Sequence, residues 1–288
     1  MRRKSILFIV PAFIIYTAFM IVPILGAFTL SFTNWNGFVQ SSIKFIGIRN
    51  FIAMMKDVRL GNAICVTLHI TVVIVIAVNI LGLALALLLN KAGKSSNFFR
   101  SIFFMPFILS TVAISFIWIS ILSYTGILNT VLGTIGLGFL KGTFIGQTNS
   151  SINSICVIEI WRMTGFHMMI YLAALQSVPQ ELYEASMIDG ANRFHQLRFV
   201  TIPNIIPGIT TSVLMSIINE LRQYDIVKVI TDGGPGYSTE TITYNIITQA
   251  FGNSKMGYSS AIALFLFVVI GAISILETTI SSKLEAMS

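Results

Sequence analysis

Apolar residues run through this chain in long blocks rather than in alternating faces. Six stretches, roughly Ile6–Phe32, Asn62–Asn90, Phe98–Ser123, Ile152–Gln176, Ile205–Ile230 and Ser259–Ile280, are apolar throughout most of their length. A hydrocarbon core of about 30 Å takes about 20 helical residues to cross, so each is long enough to span. Lipid offers backbone groups no hydrogen-bond partner, and helices satisfy their own. The pattern therefore predicts an all-α fold: a polytopic membrane bundle of about six transmembrane helices, with residues 1–288 forming one transmembrane domain. Pro11, Pro23, Pro106 and Pro207 fall in or near the spans, where they kink helices rather than end them.

Composition points the same way. Hydrophobic residues make up 55% of the chain and charged residues 10%, against about 25% charged in a soluble domain. The net charge of +7 fits cytoplasmic loops of a membrane protein rather than a nucleic-acid surface. Cys65 and Cys156 lie in apolar runs without metal or disulfide spacing, and read as two small buried side chains. Arg2, Arg3 and Lys4 precede the first stretch as in a secretion signal. The run continues to Phe32 without an Ala-x-Ala site, so it reads as a retained helix with a cytoplasmic N-terminus. The Lys91–Arg100 connection carries Lys91, Lys94 and Arg100 without an acid and also reads as cytoplasmic, as do Ser177–Pro203 and the tail with Lys283. Thr33–Gly61, Tyr124–Ser151 and Thr231–Tyr258 then lie outside, although Thr33–Gly61 carries Lys44, Arg49, Lys56 and Arg59 against that bias.

The cytoplasmic segment 177–203 has its own pattern. Ser177 reads as a helix cap, with Pro179 in the first turn and Glu181 behind it. Leu182, Ala185 and Ser186 share a face, and Gly190 permits a left-handed turn. A second amphipathic run, Ala191–Ile202, leads to Pro203. The expected shape is a helix, a sharp bend and a second helix on the membrane surface. It serves either as an interfacial connector or as a rigid knob that docks on a cytoplasmic partner.

Glu184-Ala185-Ser186, Asp189-Gly190-Ala191 and Ile202-Pro203 resemble the EAA loop of permease subunits in binding-protein-dependent ABC importers, the MetI-like permeases. Ser186 stands where the usual motif has a second alanine. Leu30–Asn36 (LSFTNWN), Phe45–Phe51 (FIGIRNF), Phe99–Pro106 (FRSIFFMP) and Leu172–Pro179 (LAALQSVP) resemble the carbohydrate-uptake branch, which includes the maltose and glycerol-phosphate permeases. The Gly233–Gly236 turn (GGPG) resembles the first of two different permeases that pair in that branch. The resemblance covers nearly the whole chain. It implies a type I importer permease in a bacterial cytoplasmic membrane, in which the loop helix enters a groove on an ATPase. Glu184 would make polar contact there, Ala185 and Ser186 would allow close approach, and Gly190, between Asp189 and Ala191, would set the bend. It implies as partners a second permease, two cytoplasmic ATPases, an extracellular sugar-binding protein and the lipid bilayer, with no nucleic acid. The chain has no Gly-x-x-x-x-Gly-Lys-Ser/Thr loop. It is expected to hold no cofactor and not to be an enzyme itself, ATP and Mg being bound by the partner ATPase.

Charges inside the spans are costly, at about 2.5–3.5 kcal/mol each. Glu159 and Arg162 lie three apart in the fourth stretch; Arg222, Asp225 and Lys228 repeat that spacing in the fifth and can pair along one helix. Ser216, Glu220 and Gln223 fall at i, i+4, i+7, with Asn219 and Tyr224 beside them, and Glu159, Met163 and Phe166 repeat the spacing. Carboxylates and amides suit sugar hydroxyls, and an aromatic face suits the C–H side of a ring. These residues are a candidate substrate path; helix–helix hydrogen bonding is the other reading. A proton-coupled secondary transporter using Glu159, Glu220 or Asp225 is the alternative function, and a membrane enzyme with Glu159 and Glu220 as acid and base a third. His69, His167 and His195 have no partner at metal spacing and read as packing residues. Thr239–Phe251 is expected to form an amphipathic helix near the outer surface.

Overall fold

The computed structural model describes residues 2–90, 93 and 96–285. Lys91 and Lys94, expected in the first cytoplasmic connection, lie outside the described residues. Among those described the chain is helical, apart from turns and one isolated bridge between Thr33 and Phe45. Five segments are long and apolar enough to cross a membrane: α1 (Ile9–Leu30), α3 (Val58–Asn90), Thr111–Thr134, Ser150–Gln176 and Met256–Lys283. α9 (Arg193–Asn204) and α10 (Ile206–Leu221) meet at an angle of 68° and together are apolar enough to count as a sixth candidate, a bent one. The other elements are α2 (Arg49–Met55), α4 (Ser96–Ile108), α5 (Thr111–Leu122), α6 (Ile127–Thr134), α7 (Thr148–Gln176), α8 (Gln180–Ile188), α11 (Asp225–Ile230), α12 (Ile242–Ile247) and α13 (Met256–Glu285).

Two expected spans are broken. Phe98–Ser123 is two helices, α4 and α5, separated at Leu109 and Ser110, where Ser110 is extended (ψ 129°). Pro106 sits inside α4, where the missing amide and ring weaken the last turn. Ile205–Ile230 is also two helices. Arg222, Gln223 and Tyr224 leave helical geometry between α10 and α11, and the Gln223 carbonyl accepts from the Thr241 hydroxyl at 2.7 Å. Arg222 and Asp225 therefore do not ride one helix, and Lys228 donates to Asp232 at 2.6 Å. Cys65 is exposed while Cys156 is buried, because Cys65 falls on the outward face of α3, between buried Ala63 and Val66. Thr239–Phe251 forms α12 and a following π-turn, but Thr239, Glu240, Thr241, Asn245 and Gln249 are buried rather than laid on a surface.

The chain divides into two compact units: residues up to Gly61 with Ile242–Val269, and Asn62–Thr241 with residues from Ile270. In the first, the Asn50 amide donates to the Ser31 and Thr33 carbonyls, both at 2.8 Å, tying α2 to the end of α1. Gly257 opens α13 against this loop, and a Cβ there would collide with the Thr33 carbonyl. Asp57 caps the start of α3 by accepting from the Arg59 and Leu60 amides, and takes the Tyr258 hydroxyl at 2.6 Å. Burial pushes its carboxyl upward, but the Tyr258 hydroxyl, the two amides and the Arg59 charge outweigh this and hold it below the ordinary aspartate value.

In the second unit, Ala86 and Leu89 of α3, Met168, Tyr171, Leu172 and Leu175 of α7, Val178 and Ile205 form one buried cluster. Helices in lipid gain little from hydrophobic burial against each other, so close backbone approach carries much of the association. Gly82 lets α3 reach the His167 backbone, Gly165 lets α7 reach the Phe103 carbonyl, and Gly208 admits the Ala174 methyl. The large exposed apolar side chains of α1, α3, α5 and α13 then suit a lipid solvent rather than water.

Two outcomes follow. Gly165→Ala drives a methyl into the Phe103 carbonyl and is expected to cost about 1–3 kcal/mol, read as a lower melting temperature in detergent. Gly26→Ala, with nothing within 4 Å, is expected to leave it unchanged. The depressed Asp57 carboxyl favours the folded state at and above the ordinary aspartate range, and this contribution disappears as pH falls through its lowered value. Asp57→Asn should therefore flatten the acid limb of the stability profile, measured by unfolding at stepped pH.

Candidate functional site

Two places carry the predicted residues: the knob between α7 and α10, and a polar cluster inside the second unit.

In the knob, Ser177 ends α7 rather than starting α8; it is the C-cap, and its hydroxyl donates back to the Ala174 carbonyl at 2.8 Å. Pro179 is the N-cap residue of α8, one step before the expected first turn. A proline carbonyl opens the helix without needing the amide that proline lacks. α8 ends at Asp189, and Gly190 takes φ +78°. The Gly190 amide donates to the Met187 carbonyl and the Ala191 amide to the Ser186 carbonyl, at 3.1 and 2.9 Å. This pair of bonds is a Schellman bend, which satisfies the last carbonyls of the helix and needs a residue tolerant of left-handed geometry. Asn192 then caps α9, its carboxamide oxygen accepting from the His195 amide at 2.9 Å. Glu184, Ala185 and Asp189 are exposed, as are Leu182, Met187, Ile188, Phe194 and Phe199, with Ile188 at 87%. Ser186 differs from its neighbours: it is half-buried, and its hydroxyl turns inward to the Tyr183 carbonyl at 2.7 Å.

Inside the second unit, Glu159 is fully buried and forked by Arg162, whose Nε and Nη2 donate at 3.0 and 3.2 Å; Gln223 donates to the same carboxylate at 2.8 Å. The break after α10 thus serves a purpose, since it swings the Gln223 amide onto α7. Glu220 is buried with one carboxyl oxygen, Oε2, lacking a hydrogen-bond partner. Met163 is buried, Phe166 stacks on Phe107 with centroids 4.6 Å apart, Tyr224 is half-buried, and Asn219 is exposed. Glu159, Glu220 and Gln223 are brought together in a buried cluster, and Asn219 is exposed beside it.

Sequence reasoning missed the centre of a second network. Asn79 of α3 accepts the Tyr171 and Ser212 hydroxyls, both at 2.7 Å, and donates to the Val75 carbonyl and to Ser216 Oγ at 2.7 and 3.1 Å. All four of its hydrogen-bonding positions are filled. Ser212 gives its one hydrogen to Asn79, so the His167 Nδ1 at 2.7 Å carries the proton and donates. His167 is thereby bound into the network and is no mere packing residue. Asn79 has no polar residue three or four positions away along α3, so it gave no periodic signal; only its intramembrane cost marked it.

Residues 79–285 match the model of the binding-protein-dependent transport system inner membrane component family. The chain belongs to that family. The matched region holds the knob and both polar networks. Among its relatives, the starch-degradation-product transport permease AmyD of Thermoanaerobacterium thermosulfurigenes is 33% identical, covering 97% of this chain and 94% of that protein. The multiple-sugar-binding transport permease MsmF of Streptococcus mutans is 32% identical over 96% and 95%, and the trehalose/maltose transport permease MalF of Thermococcus litoralis 30% over 93% and 90%. A chain of the bacterial ABC transporter that imports alginate superposes with TM-score 0.84 at 23% identity, covering 98% and 96%. At that identity the likeness establishes the fold. The family member described here is a multi-pass transport permease rather than an enzyme.

A buried carboxylate that loses its cation pays heavily. Arg162→Met is expected to destabilise the second unit by about 3–5 kcal/mol, and adding Glu159→Gln should recover most of the loss. Thermal unfolding of the purified chain and its variants checks both.

Proposed function

We propose that this chain is one permease subunit of an ATP-driven importer that passes a sugar or oligosaccharide across the bacterial cytoplasmic membrane. The observation that carries this reading is the knob: an exposed helix ended by a Schellman bend at Gly190, inside the family's matched region. Such a bend ends the helix sharply without leaving its last carbonyls unsatisfied, which suits a part that projects to meet a partner. The exposed apolar set around Glu184 and Ala185 is the face offered to a cytoplasmic ATPase. Two such ATPases bind ATP and Mg, and their closure turns the permease pair. The second permease differs from this chain, and a sugar-binding protein delivers cargo from outside. Both termini and the knob face the cytoplasm, and Thr33–Gly61, Tyr124–Ser151 and Thr231–Tyr258 face outward.

Glu159, Met163, Phe166, Ser216, Asn219, Glu220, Gln223 and Tyr224 line the substrate path in this proposal. Support comes from the buried acid–amide cluster and the unpartnered Glu220 oxygen, since a sugar hydroxyl can donate to a free carboxyl oxygen. Two acids close together favour a neutral sugar over an anionic one. The names of AmyD, MsmF and MalF support a sugar as the cargo.

Uptake of radiolabelled maltodextrins by cells expressing the complete transport system is expected to survive collapse of the proton gradient and to stop when ATP is depleted. Gly190→Val places a β-branched residue in the left-handed region at a cost of about 1–2 kcal/mol, and with Glu184→Arg should release the ATPase during copurification. Glu220→Ala with Gln223→Ala should abolish uptake while the complex still assembles; unaltered uptake kinetics would remove both residues from the path.

A further inference from the structure

The knob stands beside a cavity of about 1170 Å³ lined by Leu87, Leu88, Leu175, Val178, Tyr183 and Thr201 among others. Packing at the joint between α8 and the bundle rests on Val178 and Tyr183, and beside them this space stays open. Four hydrogen bonds run around that joint. Thr201 gives its one hydroxyl hydrogen to the Gln196 carbonyl at 3.2 Å, so at the 3.1 Å contact between Tyr183 and Thr201 it is the tyrosine that donates. Ser186 gives its one hydrogen to the Tyr183 main-chain carbonyl at 2.7 Å, so it accepts from the Gln196 side-chain Nε2 at 3.1 Å. The circuit closes: Tyr183 to Thr201 to Gln196, and Gln196 to Ser186 to Tyr183.

We infer that this circuit is a clasp that locks α8 to α9 as one lever, and that Ser186, Tyr183, Gln196 and Thr201 are positioning residues for coupling. The inference deepens the coupling role proposed above and rests on it. Each half of the clasp spans the Gly190 bend, joining residues 10 and 18 positions apart. Tyr183 also packs against the buried cluster that contains Leu175 and Ile205, and Thr201 is itself buried just before α9 gives way to α10. A push on α8 therefore reaches α10 through the clasp as well as through the backbone. This assigns a purpose to the serine at a position where the EAA motif usually has alanine: an alanine there breaks two of the four bonds. Thr201→Val breaks the other two.

The test uses the assembled transport complex in nanodiscs. Spin labels are placed at the exposed positions Glu181 and Thr211, as Glu181→Cys and Thr211→Cys, with Cys65 and Cys156 changed to alanine. Unaltered clasp residues and Thr201→Ser should give one narrow distance distribution that stays fixed when Mg-ATP and vanadate trap the ATPase. Ser186→Ala with Thr201→Val should at least double its width and let the distance shift on trapping, with the melting temperature unchanged. A double variant as narrow and as fixed as the parent overturns the clasp. If Glu184→Arg leaves ATPase binding intact, the docking reading fails instead, whatever the label widths.

Discussion

The bundle rests on contacts that lipid cannot drive by hydrophobic burial alone. Two kinds hold the second unit together: backbone approaches at Gly82, Gly165 and Gly208, and a saturated polar hub at Asn79. Each depends on the other. Gly82 and Gly208 bring α3 and α10 near enough to α7 for short side chains to meet, and the hub then penalises any rotation that would leave its groups unpaired. The Glu159–Arg162–Gln223 cluster follows the same logic with charge, since separation of any member strands a buried carboxylate.

That arrangement explains why the breaks in the chain lie where they do. α10 stops at Leu221 because Gln223 has a partner on α7 and its carbonyl has one at Thr241. A continuous helix would forfeit both. The knob shows the reverse case: α8 stops at a bend that satisfies its own last carbonyls, so it needs no support from the bundle to end. A helix that ends itself in this way can project from the protein, tied back through Tyr183 to the buried cluster.

Much was legible in advance. The spans nearest the ends and the long α3 were readable because block hydrophobicity over more than 20 residues has few other meanings in a chain with 10% charge. Gly190 was readable because its left-handed turn follows an amphipathic run, and the Glu159–Arg162 pair because i, i+3 spacing on a helix leaves little choice. The broken third and fifth stretches were not. Hydropathy averages over a window and cannot register a two-residue interruption that exists to satisfy a partner elsewhere. Ser177 was misplaced by one helix for a similar reason, since a serine beside a proline can close one helix or open the next.

The amino-acid sequence by itself determined that this protein lives in a bilayer, that it is helical, and that it bends sharply at Gly190. Those outcomes follow from local chemistry: transfer cost, backbone satisfaction and the sterics of a residue without Cβ. Only the tertiary structure decided that Asn79, Tyr171, His167 and Ser212 form one network, that Gln223 leaves its helix to reach Glu159, and that Ser186 turns inward to Gln196. Each of these joins residues from different turns or different helices. Such a bond gains its free energy only once both partners are held in place and removed from water.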